Sequence, residues 1–186
     1  MVQKRLKNTS LKKNGLTSTQ NGGNIVTQGK FYTRKNTNRN IIKSIVELGR
    51  KTEKPIFSFD RKDNHFPIYT QKIQSKDGFY DVITHGTYNN VEFFNDNIDA
   101  ELLSIILKSR DDYKIGTKVR LLSCNTGNTE ISGNCFAQIL ANELNVIVEA
   151  PTQIINVYSN GTFFIDNDAN PFNPKGKMKL FYPRGK

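Results

Sequence analysis

Apolar residues along this chain come in short runs that end on reactive side chains, and their spacing lays out an alternation of strands and helices. Phe79-Tyr80-Asp81-Val82-Ile83-Thr84, entered through an Asp77-Gly78 turn, is a strand too apolar to face water on one side. Leu102, Leu103, Ile105, Ile106 and Leu107 give a broad apolar stripe to a helix over 100–110, with Asp96 or Asp99 as its cap. Asp99 and Glu101 also suit the positive end of that helix dipole. Strand 118–123 follows, and a strand–helix–strand crossover is right-handed almost without exception, so the two strands run parallel and end on one edge. A second crossover repeats the rule. Ser132-Gly133-Asn134 opens a helix 135–144 with Phe136, Ile139, Leu140 and Leu144 inward and Asn145 as its stop, and Val146 to Ala150 is the next strand. That strand ends in Pro151-Thr152, a third strand end on the same edge.

The flanking segments read less regularly. Ile41, Ile42, Ile45, Val46 and Leu48 predict an amphipathic helix stopped by Gly49, and Pro55 to Phe59 alternates like a strand before a polar turn at 60–64. Phe66-Pro67-Ile68-Tyr69 reads as a further strand, kept at an edge by Pro67. Val91 to Phe94 makes a small extension, Tyr158 to Ile165 a hairpin with an Asn160-Gly161 turn, and Lys179 to Pro183 a last edge strand. There are no internal repeats. Residues 1–40 are rich in Gln, Asn, Thr, Lys and Gly with few apolar anchors, too few to offset the entropy of ordering them. The expected organisation is a basic, loosely structured arm at 1–40 and one α/β domain at 41–186.

Charge sharpens that division. Of the net +10, residues 1–54 carry 13 Lys and Arg against Glu47 and Glu53, and the remaining chain holds 14 against 15 acidic residues. The basicity belongs to the arm and says nothing about the domain behind it. Such an arm suits phosphate through counterion release, but its only aromatics are Phe31 and Tyr32, too few for a base-stacking platform, so nucleic acid is not the expected partner. The two cysteines, Cys124 and Cys135, exclude a disulfide framework, and no Cys/His spacing suits zinc, so no cofactor or metal is expected. No run of about 18 apolar residues spans a membrane and no secretory leader opens the chain. Gly22-Gly23 is no phosphate loop, and Asp166 to Asn170 lacks the Gly and closing Glu of a calcium loop.

Chemistry gathers at the edge where the strands end. His85, one of two histidines, follows the first strand, and Cys124 follows the second. A thiol attacks an acyl carbon as thiolate and needs a partner that takes its proton. Gly86 and the Asn125-Thr126-Gly127 turn let main-chain N–H groups approach a developing oxyanion. Taken alone, Cys124 reads as a buried small hydrophobe and His85 as a hydrogen-bonded turn residue. Together, on adjacent strand ends, they gain weight as a pair. Cys135, at the first turn of a helix, competes as nucleophile, although Phe136 beside it favours a packing role. His65 reads as a surface loop residue. Asp81 and Glu92 are the acidic candidates for a third member, neither of them compelling, since a mid-strand Asp81 is also placed for an ion pair.

At these residues the sequence resembles the caspase-hemoglobinase class of cysteine peptidases (clan CD-like). That class has an apolar block ending in His-Gly and a later one ending in Ser-Cys, as in Val82-Ile83-Thr84-His85-Gly86 and Val119-Arg120-Leu121-Leu122-Ser123-Cys124. With Phe136-Ala137-Gln138, Leu140-Ala141 and Ala150-Pro151-Thr152, the stretch from about 77 to 183 is similar to C-terminal effector modules of bacterial polymorphic toxins of the Rhs, Tc or contact-dependent type. The resemblance implies a three-layer caspase-like sandwich with a mostly parallel central sheet. It makes Cys124 the nucleophile, His85 the proton donor to the leaving group, and Gly86 and Cys124 N–H the oxyanion hole. Thr84, Ser123, Asn125 and Thr152 would shape the substrate pocket. It further implies a secreted or delivered, monomeric toxin domain acting on a protein of a target cell, with a carrier toxin and an immunity protein as partners. Two other functions fit the residues: a glutamine deamidase or transglutaminase using the same pair, and a non-enzymatic module binding nucleic acid or membrane through the arm.

Overall fold

The computed structural model of the protein describes residues 29–52, 66–94, 96–130, 133–169, 171–172 and 175–185. The expected strand 55–59, the turn 60–64, His65 and the arm up to residue 28 lie outside them. From residue 29 the chain is attached to the domain: β1 (Phe31–Tyr32) pairs with β4 (Asp96–Ile98), and the Lys30 and Arg34 N–H groups donate to the carboxylates of Asp96 and Asp99.

The fold is mixed α/β. A four-stranded sheet runs β2 (Phe79–Ile83), β5 (Lys118–Leu122), β6 (Val148–Pro151) and β9 (Met178–Phe181). The first three are parallel and β9 is antiparallel to β6. A smaller sheet joins β1, β4 and β3 (Val91–Phe93), and β7 (Ile155–Val157) pairs with β8 (Phe163–Ile165) in a hairpin. The hairpin forms as the Asn160-Gly161 signal predicts, with Gly161 at φ 87°, but it starts at Ile155 and Tyr158 already lies in its loop.

Both crossover helices form where the apolar spacing puts them. In α3 (Ala100–Ser109) the Asp99 carboxylate accepts from Leu102 N–H at 2.8 Å, capping the first turn. In α4 (Phe136–Leu144) Asn145 closes the helix in the left-handed region at φ 55°. α3 packs against both α4 and α1 (Arg39–Arg50), so the three form one helical layer on the sheet. Its core takes Val82, Val119, Leu121, Val148 and Ala150 from the strands, alternate residues that share one face. The opposite face carries Asp81, Ile83 and His85 from the β2 line, and Arg120, Leu122 and Cys124 from the β5 line.

Two local expectations are corrected. Gly49 does not stop α1 but lies inside it, buried where the helix crosses α3: a Cβ there would run into Ile106 and sit 3.3 Å from the Phe93 ring. The missing side chain sets the helix spacing, and Lys51 forms the cap. Residues 66–70 are a short helix, α2 (Phe66–Thr70), rather than a strand. A proline is at home in a first helical turn, where its missing N–H costs no intrahelical bond.

Asp81 and Arg120 are ladder partners joined by two hydrogen bonds of 2.7 and 2.6 Å, and the guanidinium also donates to Gln74 O at 2.7 Å. Both side chains are largely buried, 18% and 8% exposed. Arg120→Met leaves Asp81 without its counter-charge and is expected to lower unfolding free energy by about 2–4 kcal/mol in urea titration. Adding Asp81→Leu is expected to recover most of that loss. Single and double variants of equal stability would show that the pair contributes nothing.

Candidate active site

The ladder between β2 and β5 ends at Ile83 opposite Leu122 and is prolonged by Thr84 N–H donating to Leu122 O at 3.4 Å. Two residues past the last pair, on the same face, come His85 and Cys124. Both line a cleft of about 420 Å³. Its other walls are Tyr69, Thr70 and Ile73 from α2 and the turn after it, Thr84 and Leu122 from the strand ends, and Ile154 to Val157 along β7.

The backbone around each residue is fixed by several bonds. Glu92 N–H donates to His85 O at 2.9 Å, Thr84 Oγ1 donates to Glu92 O at 2.6 Å, and Gly86 bridges Val91. Peptide groups alternate sides along an extended strand, so with Thr84 N–H toward β5 and His85 O away from it, Gly86 N–H turns back toward the end of β5. Gly86 has no room for a side chain: a Cβ would collide with Ser123 Oγ and lie 3.1 Å from Thr126 Cγ2. The Ser123 hydroxyl is buried there and finds no hydrogen-bond partner among the described residues.

After Cys124 the chain turns sharply through Asn125, at φ 59°. Thr126 Oγ1 donates to Ser123 O at 2.8 Å, Asn125 N–H to Gln153 O at 3.0 Å and Gly127 N–H to Pro151 O at 2.9 Å. Gly127 must be glycine for this approach, since a Cβ would sit 2.8 Å from Ala150 O. These bonds engage the N–H groups of Asn125 and Gly127. The half-buried Cys124 thiol has its pKa raised by burial, against the opposing pull of the Ile155 N–H and its own N–H directed at the sulfur.

The same bonding pattern orients β7. Residues 154, 156 and 158 bond toward β8 through Asp166 N–H to Ile154 O, the Asn156–Phe164 pair and Tyr158 N–H to Thr162 O. The peptide groups of Ile155 and Val157 therefore face outward. Ile155 and Val157 both line the cleft, so this edge borders it.

Of the residues read as pocket-forming, Thr84 lines the cleft, while Ser123 lies buried beneath Gly86. Asn125 is turned into the tight loop, and Thr152 is held on Lys177 by bonds of 3.0 Å through both its N–H and its hydroxyl. The walls missed were α2 and β7. The alternation Ile154-Ile155-Asn156-Val157, directly after the β6 end, was the available signal for β7. Cys135 stands fully buried at the N-cap of α4, its pKa also raised by burial, and does not line this cleft. Asp81 is engaged with Arg120, as a mid-strand carboxylate would be. Among the described residues no cluster of His, Cys, Asp and Glu could hold a metal, and no helix is long and apolar enough to cross a membrane.

The chain belongs to a family described as a domain of unknown function, DUF8616, which it matches over residues 55–165. That span contains β2 to β8, and with them His85, Cys124 and the β7 wall. No curated protein and no solved structure matches the chain.

Two outcomes follow from the geometry. Gly86→Ala is expected to cost about 1–3 kcal/mol of stability through overpacking, and Ser123→Gly in the same chain to return a large part of it, read by thermal or urea unfolding. Independent, additive effects would mean that the two do not press on each other. Because burial raises the Cys124 pKa, its thiolate fraction at pH 7 lies below that of a solvated thiol. Iodoacetamide alkylation of Cys124, followed by peptide mass spectrometry, is therefore expected to accelerate with pH to a midpoint above the ordinary thiol value. A rate already at its plateau by pH 7 would contradict the burial effect.

Proposed function

We propose that this domain is a Cys/His-dependent hydrolase, a cysteine peptidase of caspase-like three-layer fold, serving as the effector of a bacterial toxin that is delivered into a target cell. One observation carries the reading: His85 and Cys124 occupy the same register position beyond two paired parallel strands and line one cleft. The order in sequence, His-Gly after the first strand and Ser-Cys after its neighbour, is the pattern of the caspase-hemoglobinase class. The outward edge of β7 supports a peptide substrate, since Val157 N–H and C=O border the cleft as ladder partners for an extended chain. The toxin context rests on the similarity of residues 77–183 to polymorphic-toxin effector modules.

In this mechanism the Cys124 sulfur attacks the scissile carbonyl carbon while its proton passes to His85. The carbonyl oxygen takes up the electron pair and is met by the N–H groups of Gly86 and Cys124. On collapse the C–N bond breaks and His85 returns the proton to the departing amine, leaving a thioester on Cys124. Water, giving a proton to His85, then releases the acid, and the proton returns to sulfur. A thiol whose pKa is raised by burial suits this sequence, in which deprotonation accompanies attack. His85 is oriented here through its clamped backbone.

Cys124→Ala and His85→Ala are each expected to lower proteolysis of a target-cell extract by about a thousandfold or more and to abolish toxicity, with the circular dichroism spectrum unchanged. Full toxicity of both variants would overturn the proposal. A target left whole but about one dalton heavier would move the assignment to deamidation by the same acyl-enzyme.

A further inference from the structure

The walls of the cleft carry a second message, about what the site selects. Its lining includes Tyr69, Ile73, Leu122, Ile154, Ile155 and Val157, and there is no Asp, Glu, Lys or Arg among the described lining residues. The polar groups present are largely committed. Thr84 Oγ1 donates to Glu92 O at 2.6 Å, and the Asn156 amide nitrogen donates to Asp166 O at 2.9 Å and to Ile154 O at 3.4 Å. The nearby ionised groups are tied elsewhere on this face: Asp81 to Arg120, and Glu149 to Lys76 at 2.7 Å. A charged side chain entering here would lose its water and meet no counter-ion among the described lining residues, a cost that an apolar side chain avoids.

We propose that the cleft selects peptide substrates by an uncharged, apolar side chain of leucine, methionine or phenylalanine type on the residue whose carbonyl is attacked, gripped between Tyr69 and Ile73 on one side and Ile154 to Val157 on the other. The inference rests on the peptidase reading above. It makes α2 and β7 the specificity elements, although neither supplies a group to the chemistry. Ile154, 37% exposed at the rim, is the wall residue most open to an incoming chain.

The test uses the full chain and a set of peptidyl acyloxymethyl ketones that differ only in the residue next to the electrophile: Leu, Met, Phe, Asp, Lys and Arg. Labelling rates are read by intact mass, and the labelled cysteine is identified by peptide mapping. Cys124 is expected to react at least about tenfold faster with the Leu, Met and Phe probes than with the charged ones. Ile154→Asp, at the exposed rim, and Ile73→Asp are each expected to raise labelling by the Lys and Arg probes relative to Leu by about tenfold or more. Equal rates for apolar and charged probes on Cys124 would overturn the specificity while leaving the nucleophile in place. Labelling of Cys135 instead, or of neither cysteine by any probe, would overturn the peptidase reading and this inference with it. An apolar preference that both aspartate variants leave unchanged would place the selecting surface elsewhere and refute the assignment to these walls.

Discussion

The ion pair between Asp81 and Arg120 fixes the register on which the site depends. In a parallel ladder a slip of one residue turns every side chain to the other face. Here such a slip would move Val82, Leu121 and their neighbours out of the helical core and separate Asp81 from its guanidinium. The pair lies on the same face as the cleft, so the rungs Asp81 with Arg120 and Ile83 with Leu122 lead directly to His85 and Cys124. Apolar packing on one face and a bidentate charge pair on the other enforce the same alignment. The approach of an imidazole and a thiol thus follows from forces that act well inside the sheet.

Beyond the sheet the two halves of the site are built differently. Cys124 sits at the mouth of a turn held to β6 by the Gly127–Pro151 bond, to the segment after β6 by the Asn125–Gln153 bond, and to α4 by Ala137 N–H donating to Thr126 O. His85 is held by Glu92 and by the Gly86–Val91 bridge. The walls come instead from a five-residue helix and a two-stranded hairpin, in which β7 has no fully buried residue. Under the proposed function, reacting groups would sit on the well-anchored part and selecting groups on the peripheral part, a division that would let selectivity change without disturbing the chemistry.

The reach of the sequence follows that same division. The succession β2, α3, β5, α4, β6 was legible because each element is strongly apolar with a clear period, and the right-handed crossover rule then placed His85 and Cys124 on one edge. The periphery was not. Phe66 to Thr70 is too short to show a helical period, and Pro67 argues equally for an edge strand or a first helical turn. Gly49 carries the stop signal of a helix end, yet its role is a close crossing with Ile106, a tertiary fact absent from local pattern. Thr152 was placed in the pocket because β6 ends there, but the chain runs on past the edge before β7 turns along the cleft, and Thr152 bonds to Lys177 instead. Strand ends are predictable from topology, whereas what folds over them depends on loops.

The raised thiol pKa and the uncharged walls are two consequences of one dielectric condition. A cysteine held as thiolate beside an imidazolium needs water or nearby dipoles to support the two charges, and a cleft lined by isoleucine and valine supplies little of either. Burial instead raises the Cys124 pKa, against the pull of the Ile155 and Cys124 backbone groups. Under the proposed mechanism, charge would appear chiefly in the transition state, where sulfur, carbonyl oxygen and imidazole would share it and the Gly86 and Cys124 N–H groups would meet it. An apolar substrate side chain completes such a site by excluding the remaining water, which strengthens those donors at the moment they act. The apolar walls would therefore assist the reaction as well as select for it, and the need for a third, acidic residue falls accordingly.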